Sequence, residues 1–274
     1  MMKIIDLSLP IENCDSEPMR ITIKSMSHKK SARKICFETS YKMEKGLLRK
    51  IFGALKYIFG VRRLSPNDFP NSEFITNDIV TLGTHMGTHI DAPYHFGYTK
   101  KDRAVFINEL PLDWFYGNGV RLDFRYKKSG ELITAEDIKL QLRKSKYELQ
   151  KGDIVLIWTG ADKNYGTKKY FMEYPGMSKE AVKYLVDNGI KVIGTDAYGF
   201  DRPFGCMIQE YMVKHQKESL WPAHFCGRDL EYVHIEKMCN LEQLNNTNFQ
   251  LCCFPIKICG ADAGWTRVVA MQEE

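Results

Sequence analysis

The segment G-D-I-V-L-I-W-T-G at residues 152–160 places five apolar residues between polar residues and glycines. A short bounded apolar run of this kind is typical of a strand that is buried on both faces. The next pattern, M-S-K-E-A-V-K-Y-L-V-D-N-G at 177–189, predicts a helix with Ser178 as N-cap and Gly189 just past its end. K-V-I-G-T-D-A at 191–197 then predicts another strand. This strand–helix–strand order favours an α/β core with parallel pairing.

The alternation of strand and helix patterns continues on both sides of this region. G-V-R-L-D-F at residues 119–124 predicts a strand, and T-A-E-D-I-K-L-Q-L-R-K at 134–144 predicts a helix that begins after a capping threonine. The alternating residues 3–9 predict a strand at the start of the chain. F-Q-L-C-C-F-P-I-K-I at 249–258 and W-T-R-V-V-A-M at 265–271 predict two more strands near its end.

The composition is that of a globular protein, since 44% of the 274 residues are hydrophobic and 27% are charged. No linker separates two apolar regions, so a single domain over residues 1–274 is predicted. No run approaches the roughly 18 apolar residues that a membrane span needs. The first residues also lack the apolar core and cleavage site of a signal peptide. We therefore expect no membrane partner and a cytoplasmic location.

Three of the seven histidines and one aspartate lie in T-H-M-G-T-H-I-D-A-P-Y-H-F at residues 84–96. Gly87 and Pro93 oppose a helix here, so an extended or looped segment is predicted. Side chains of an extended chain alternate with period two, which puts the odd-numbered positions on one side. These positions are His85, His89, Asp91 and His95.

Imidazole and carboxylate groups at this spacing suit a divalent metal such as zinc, manganese or iron. The cluster contains no cysteine, which favours an open site with room for water over a closed structural site. The alternative is a loop on which these polar residues are unrelated to one another. Their crowding within thirteen residues favours the metal site.

The segment H-M-G-T-H-I-D-A-P-Y-H-F resembles the H-x-G-T-H-x-D-x-P-x-H signature of the cyclase-like metal-dependent hydrolases. This family includes bacterial kynurenine formamidase and isatin hydrolase. Further similarity lies in D-L-S-L-P-I (6–11), V-I-G-T-D-A (192–197), H-I-E-K-M-C-N-L-E-Q-L (234–244) and G-A-D-A-G-W-T-R-V-V-A (260–270). Met238 and Trp265 depart from the usual residues of the last two elements. Residues 28–75 form a basic amphipathic insert that the compact family members do not match.

The resemblance implies a divalent metal, zinc or manganese, at one or two ions per chain. Residue by residue, the implied metal ligands are His85, His89, Asp91, His224 and Glu236. In a version with two ions, Asp91 and Glu236 bridge them. His95 matches the catalytic histidine of the family, which carries protons and is not a main ligand.

The resemblance also implies a swivelling β/α/β fold with a barrel-like mixed β core, in a homodimer or homotetramer. The implied reaction is hydrolysis of a carbonyl C–N bond by metal-activated water. The expected substrate is a small hydrophobic or aromatic molecule, such as an aryl formamide, a lactam or a related cyclic amide. Three alternatives stay open: a hydrolase of a lactone, a metal-dependent cyclase or dehydratase of a polyketide-like pathway, and a metal-dependent binding protein.

Other polar residues carry weaker patterns. Thr88 is interpreted as a residue that orients a ligand or as a turn threonine. Asp196 follows a predicted strand, a position that often carries function, although a local turn or ion pair explains it too. Asp201 and Arg202 are weaker candidates for the site. Arg267 is interpreted as a structural ion-pair partner. No pattern supports a role for His28, His215 or His234.

The formal charge of +5 is concentrated in residues 28–34 and 42–63. No nucleic-acid motif accompanies it, so a solvated basic surface and no nucleic-acid partner are predicted. Within 42–63 one helical face is apolar, which leaves three interpretations: packing on the protein's own core, binding to an anionic membrane, or a lid or subunit contact that walls the metal pocket. This face comprises Leu47, Leu48, Ile51, Phe52, Leu55, Ile58 and Phe59.

Overall fold

The computed structural model describes residues 1–61, 63–99 and 102–273. The chain divides into two compact units, one formed by Met1–Arg20 with Gly83–Glu274 and the other by Ile21–Leu82. Arg62, part of the basic segment, lies outside the described residues. The described residues include no helix that is long and apolar enough to cross a membrane. The single domain and the cytoplasmic location stay predictions.

The secondary structure alternates between short strands and helices. The strands are β1 (Met2–Asp6), β2 (Thr22–Lys24), β3 (Ile79–Thr81), β4 (His89–Asp91), β5 (Tyr116–Asp123), β6 (Leu132–Ile133), β7 (Ile154–Trp158), β8 (Gly176–Met177), β9 (Val192–Thr195), β10 (Val233–Glu236), β11 (Phe249–Cys252), β12 (Ala263–Trp265) and β13 (Val269–Glu273). The helices are α1 (His28–Lys42), α2 (Leu47–Ile58), α3 (Pro93–Phe96), α4 (Ala135–Ser145), α5 (Lys169–Met172), α6 (Lys179–Asp187), α7 (Phe204–Lys214) and α8 (Pro222–Cys226).

A mixed sheet of nine strands forms the centre of the larger unit, in the order β1-β13-β11-β5-β7-β9-β10-β4-β12. The neighbours β5, β7, β9 and β10 run parallel, and the other pairs in the sheet are antiparallel. The sheet curls into a half-barrel. The predicted α/β fold with a barrel-like mixed β core is therefore confirmed.

Strand β7 is buried on both faces, as its apolar run predicts. Its alternate residues Ile154, Leu156 and Trp158 enter one hydrophobic cluster. Val155 and Ile157 enter a second cluster, which also takes apolar residues from α4, α6 and α8. Full burial of such a side chain contributes roughly 1.5–3 kcal/mol, so the sheet is held by apolar contacts on each side.

The end of the chain differs from the prediction in its strand boundaries. The strand predicted over 249–258 ends at Cys252, before Pro255, whose ring removes a backbone donor. The single strand predicted over 265–271 is two strands, since β12 pairs with β4 and β13 pairs with β1 and β11. Only residues 266–268 separate β12 from β13, although they lie far apart in the strand order. Such a short connection requires the sheet to curl.

The smaller unit contains α1, α2 and the antiparallel pair β2–β3. The helix indicated by the apolar face within 42–63 is confirmed as α2, and Gly60 follows it at φ +88°. Gly53 is the residue of α2 that is buried, and a Cβ there would overlap the carbonyl oxygen of Ser40 on α1. The apolar face points outward instead, with Leu48 82% and Phe59 80% exposed. The packing of this face and its role as a lid or subunit contact stay predictions.

Candidate metal centre

The register between β4 and β10 gathers four polar side chains on one face of the sheet. His234 lies opposite Asp91, and Glu236 lies opposite His89. Residues directly opposite each other on antiparallel strands point to the same side. The intervening pair, Ile90 with Ile235, points the other way into the hydrophobic cluster. The alternation predicted from the odd-numbered positions therefore holds along β4.

His85 reaches this face from the turn that precedes β4. Gly87 has φ +65° in that turn, a backbone conformation that residues with a side chain rarely adopt. A Cβ at this position would also lie 2.9 Å from Cγ1 of Ile11, which is too close. The turn places His85 Nδ1 2.9 Å from Asp91 Oδ1. His89 Nε2 lies 3.2 Å from the same oxygen.

His224 enters the cluster from helix α8. Its Nε2 lies 3.7 Å from Asp91 Oδ2 and 3.6 Å from Glu236 Oε1. The start of this short helix is held by Asp201, whose carboxylate accepts hydrogen bonds from the backbone amides of Ala223 at 2.8 Å and His224 at 2.9 Å. Asp201 therefore positions a histidine of the cluster.

The potential ligand atoms form groups whose members lie within 4.8 Å of one another. The five residues that the resemblance implies as ligands all take part. One group contains His85, His89 and Asp91; another contains Asp91, His224, His234 and Glu236; a third contains His85, His95 and Asp262. His234 and Asp262 had no predicted role, and both are brought in by strand pairing.

Three of the histidines are each oriented by a hydrogen bond from one ring nitrogen. His89 Nδ1 donates to the carbonyl oxygen of Gly87 at 2.9 Å, and His224 Nδ1 donates to Asp201 Oδ2 at 2.6 Å. His85 Nε2 donates to Asp262 Oδ2 at 3.0 Å. For His89 and His224 the other nitrogen, Nε2, is left to face the cluster, which is the arrangement of metal-binding histidines.

Two buried atoms at the centre of the cluster test whether a metal fits. His89 Nε2 and Asp91 Oδ1 are among the buried polar atoms of the described residues that lack a hydrogen-bond partner. An unpaired buried polar atom costs about 1–3 kcal/mol. Both atoms are electron donors toward a cation, and they lie 3.2 Å apart. A divalent ion bound to both atoms would give each of them the partner that it lacks, so the residues present fit a metal.

The charges of the cluster favour a cation as well. Burial by itself would raise the pKa of Glu236, but its contacts with histidines outweigh burial and lower the pKa to about 2. The pKa of Asp91 is likewise held well below its usual value. Burial would lower the pKa of His85 and His234, yet their contacts with carboxylates raise the pKa of each to about 9. Both carboxylates therefore stay ionised and attract positive charge.

His95 lies on α3 at the side of the cluster that is open to solvent. Its side chain is 31% exposed, whereas that of Asp91 is 1% exposed. His95 Nε2 lies 3.7 Å from Asp91 Oδ2, and Nδ1 lies 3.5 Å from Asp262 Oδ2. Burial is the main cause that lowers its pKa, which favours the neutral ring. This position suits a proton carrier, and the catalytic role of His95 stays a prediction.

Backbone contacts of Thr88 and Lys237 tie the segment before β4 to β10. The Thr88 hydroxyl donates to the carbonyl oxygen of Lys237 and accepts from the amide of Leu9 at 2.8 Å. Lys237 Nζ donates to both carboxylate oxygens of Glu17 and to the carbonyl oxygen of His85, each at 2.9 Å. Thr88 therefore supports the backbone rather than a ligand side chain. No sequence pattern pointed to Lys237 or Glu17.

The remaining sequence candidates have contacts outside the cluster. Asp196 accepts hydrogen bonds from the backbone amides of Thr159 and Gly160 at the end of β7. Arg202 pairs with Glu210, and Arg267 pairs with Asp6 at 2.6 Å. The prediction of a structural ion pair for Arg267 is confirmed. His28 begins α1, and His215 follows α7.

Residues 5–202 match the family model for Cyclase. This span covers most of the chain and includes the His-rich segment at 84–96. The chain belongs to the Cyclase family. The matched span ends before His224 and Glu236, so the place of these two residues at the site rests on the geometry described above.

Several curated proteins are similar to this member of the family. Cyclase-like protein 1 of Arabidopsis thaliana is 27% identical over 74% of this chain and 72% of its own length. Kynurenine formamidase of Erythrobacter litoralis is 26% identical over 69% of this chain and 74% of its own. Isatin hydrolase of Roseibium aggregatum is 26% identical over 72% of this chain and 75% of its own.

The fold is shared with a solved structure of an isatin hydrolase bound to the product analogue thioisatinate. The superposition covers 100% of this chain and 93% of the other, with a TM-score of 0.73 and 20% sequence identity. The likeness therefore confirms the curled α/β architecture over the full length.

Proposed function

We propose that this protein is a metal-dependent hydrolase that cleaves a carbonyl C–N bond. The substrate class is an aryl formamide, a lactam or a related cyclic amide. The observation that carries the proposal is the convergence of His85, His89 and Asp91 beside the partly exposed ring of His95. The relatives include a kynurenine formamidase and an isatin hydrolase, whose reactions are hydrolyses of this kind.

The residues proposed to hold the metal are those implied by the family resemblance. They are His85, His89, Asp91, His224 and Glu236. Nitrogen and oxygen donors without sulfur suit zinc or manganese, and we propose one or two ions per chain. When bound, a divalent ion supplies a Lewis acid that lowers the pKa of water to about 7 and polarises a carbonyl group.

The proton transfers are assigned to His95. The neutral ring takes a proton from water at Nε2, the nitrogen that faces Asp91, and then returns it to the departing nitrogen of the substrate. Asp262 lies 3.5 Å from Nδ1 and favours the tautomer with hydrogen on that atom. The exposed side of His95 is the side from which a substrate approaches.

A second function is favoured by the relatives that are cyclase-like proteins. In a cyclase or dehydratase, His95 would remove a proton from carbon instead of passing one from water. A lactone hydrolase would use the same residues as the amide hydrolase. Incorporation of isotopically labelled oxygen from water into the product separates hydrolysis from ring closure.

The test is turnover of N-formylkynurenine, isatin and simple lactones by the purified chain. We expect turnover with added Zn²⁺ or Mn²⁺, loss of turnover after treatment with a chelator, and recovery when the metal returns. His89→Ala should bind less metal than wild type and lose turnover, whereas His28→Ala, a histidine outside the cluster, should keep the wild-type metal content and turnover. A wild-type protein that binds neither metal would contradict the proposal.

The protein is further proposed to form a homodimer or homotetramer. The support is the outward-facing apolar side of α2, on which Leu47, Ile58 and Phe59 are each more than half exposed. A contiguous exposed apolar face of this kind marks a surface for association.

A further inference from the structure

His234 occupies a position at the cluster that the sequence did not predict. Its side chain is fully buried in β10 and stacks on Phe200, with ring centroids 4.2 Å apart and an angle of 13° between the planes. This stacking points Nε2 at two carboxylates, 2.9 Å from Asp91 Oδ2 and 3.4 Å from Glu236 Oε1. Nδ1 has no hydrogen-bond partner among the described residues.

The atoms around His234 Nε2 have the spacing of a tetrahedral metal site. Zinc bonds to nitrogen and oxygen of about 2.1 Å place neighbouring ligand atoms about 3.4 Å apart. His234 Nε2 lies 2.9 and 3.4 Å from the two carboxylate oxygens, and His224 Nε2 lies 3.7 and 3.6 Å from the same two oxygens. These four distances therefore lie on either side of the spacing of about 3.4 Å expected between the ligand atoms of a tetrahedral zinc ion.

The two carboxylates divide their oxygens between two ligand groups. Asp91 Oδ1 faces His85 and His89, whereas Oδ2 faces His224 and His234. Glu236 Oε2 is turned toward His89, and Oε1 toward His224 and His234. The group with His85 is partly exposed, while His234 is fully buried. One group is thus open to water and the other is closed by four residues.

We propose that His234 Nε2 is the fourth ligand of a closed zinc site formed with Asp91, His224 and Glu236. A four-residue shell without a free position is typical of a structural zinc site, which stabilises the fold instead of activating water. The open position beside His85 and His89 is left for the chemistry. This inference rests on the proposed metal dependence and adds a residue and a structural role to it.

The experiment measures zinc content and zinc affinity of the full chain. Wild type should retain two zinc ions per chain, and His234→Ala should retain one, or hold the second at least 10-fold more weakly in competition with a chelating dye. His95→Ala is the matched control, because it removes an imidazole at the edge of the cluster and should keep both ions. Circular dichroism verifies that each variant is folded.

A second variant tests ligation directly. His234→Cys replaces one zinc ligand by another, so the Co²⁺-loaded variant should show a thiolate-to-cobalt charge-transfer band that Co²⁺-loaded wild type lacks. Absence of that band in the folded variant would overturn the proposal. So would equal zinc content and affinity in wild type and His234→Ala. Wild type that binds no zinc or manganese would contradict the proposed function itself, which is a different outcome.

Discussion

Asp91 connects the two halves of the candidate metal centre because its two oxygens face different histidines. It is fully buried at the end of β4, and four histidines other than His95 lie within ion-pair distance of it. A buried carboxylate is tolerated only when its charge is compensated. Loss of this side chain would leave several buried imidazoles without their common partner.

Removing His95, the proposed proton carrier, should separate catalysis from metal binding. We expect His95→Ala to lower kcat by about 10²–10⁴-fold, the usual scale for loss of a general acid–base group. The metal content should stay at the wild-type value, because His95 lies at the exposed edge of the cluster. Steady-state kinetics and elemental analysis of the same preparation measure both. Loss of metal in this variant would make His95 a ligand.

Sequence periodicity predicted the site residues that are close together in the chain. His85, His89, Asp91 and His95 share one side because they alternate within one short segment. His234 could not be found in this way, because its contact with Asp91 spans 143 residues and depends on the register of β10 against β4. Asp262 reaches the site in the same manner, because it directly precedes β12, which pairs with β4 from the other side.

At the scale of single elements, helix α4 is held at its start by a capping box. Thr134 Oγ1 accepts from the amide of Asp137, and Asp137 Oδ2 accepts from the amide of Thr134 at 2.9 Å. Lys127 Nζ also donates to this carboxylate, at 2.7 Å. We expect Asp137→Asn to lower the free energy of unfolding by about 1–2 kcal/mol at pH 7, since a charged acceptor is lost. Urea unfolding of the chelator-treated protein measures it.

The effect of Asp137→Asn should depend on pH. Burial raises the pKa of Asp137, but hydrogen bonds from Lys127 and Thr134 outweigh it and lower the pKa below 3.8. The stabilisation is therefore complete above the unfolded pKa of about 3.9 and is lost as pH falls through the folded pKa. The difference between wild type and variant should shrink on going from pH 6 to pH 3. Glu180→Gln, at an exposed position in the first turn of α6, is the control. A pH-independent difference for Asp137→Asn would refute this explanation.

Two glycines in helices should respond to alanine with opposite sign. Alanine in a helix gains up to about 1 kcal/mol over glycine. At Gly205 in α7 the new methyl group meets open space, so Gly205→Ala should be neutral or stabilising. At Gly53 it would overlap the Ser40 carbonyl, so Gly53→Ala should destabilise the α1–α2 pair by about 1–3 kcal/mol. Urea unfolding and limited proteolysis compare the two, and equal stability would show that α1 moves aside freely.

The elements predicted well are those whose signals are local. The helices α4 and α6 were placed by their caps, and the strands β7 and β9 by bounded apolar runs. The break between β12 and β13 was missed, because it depends on which distant strands they pair with. The packing of α2 through Gly53 was missed for the same reason: an apolar stripe does not reveal whether its partner lies in the same chain.

At the scale of the whole molecule, the apolar face of α2 predicts self-association. Leu48 is 82% exposed and Phe59 80% exposed on a helix that also carries Arg49, Lys50 and Lys56. Burial of apolar surface is worth roughly 25 cal/mol per Å², so covering this face by a second copy is favourable. Light scattering of the wild-type protein should give two or four times the mass of one chain. The double variant Leu48→Asp with Phe59→Asp should shift the mass toward that of one chain.

The control for self-association is Val213→Asp on α7. Val213 is 81% exposed, so this variant introduces one carboxylate at an equally exposed apolar position in the other unit. Val213→Asp should leave the mass measured by light scattering unchanged, because the proposed association uses the apolar face of α2 and not every exposed apolar side chain. A wild-type mass of one chain, or an equal shift in both variants, would contradict the assignment. A different outcome would assign the face to a membrane surface: the wild type does not self-associate, but it binds anionic vesicles, and high salt abolishes this binding. Salt has this effect because it screens the attraction between basic residues and anionic lipids.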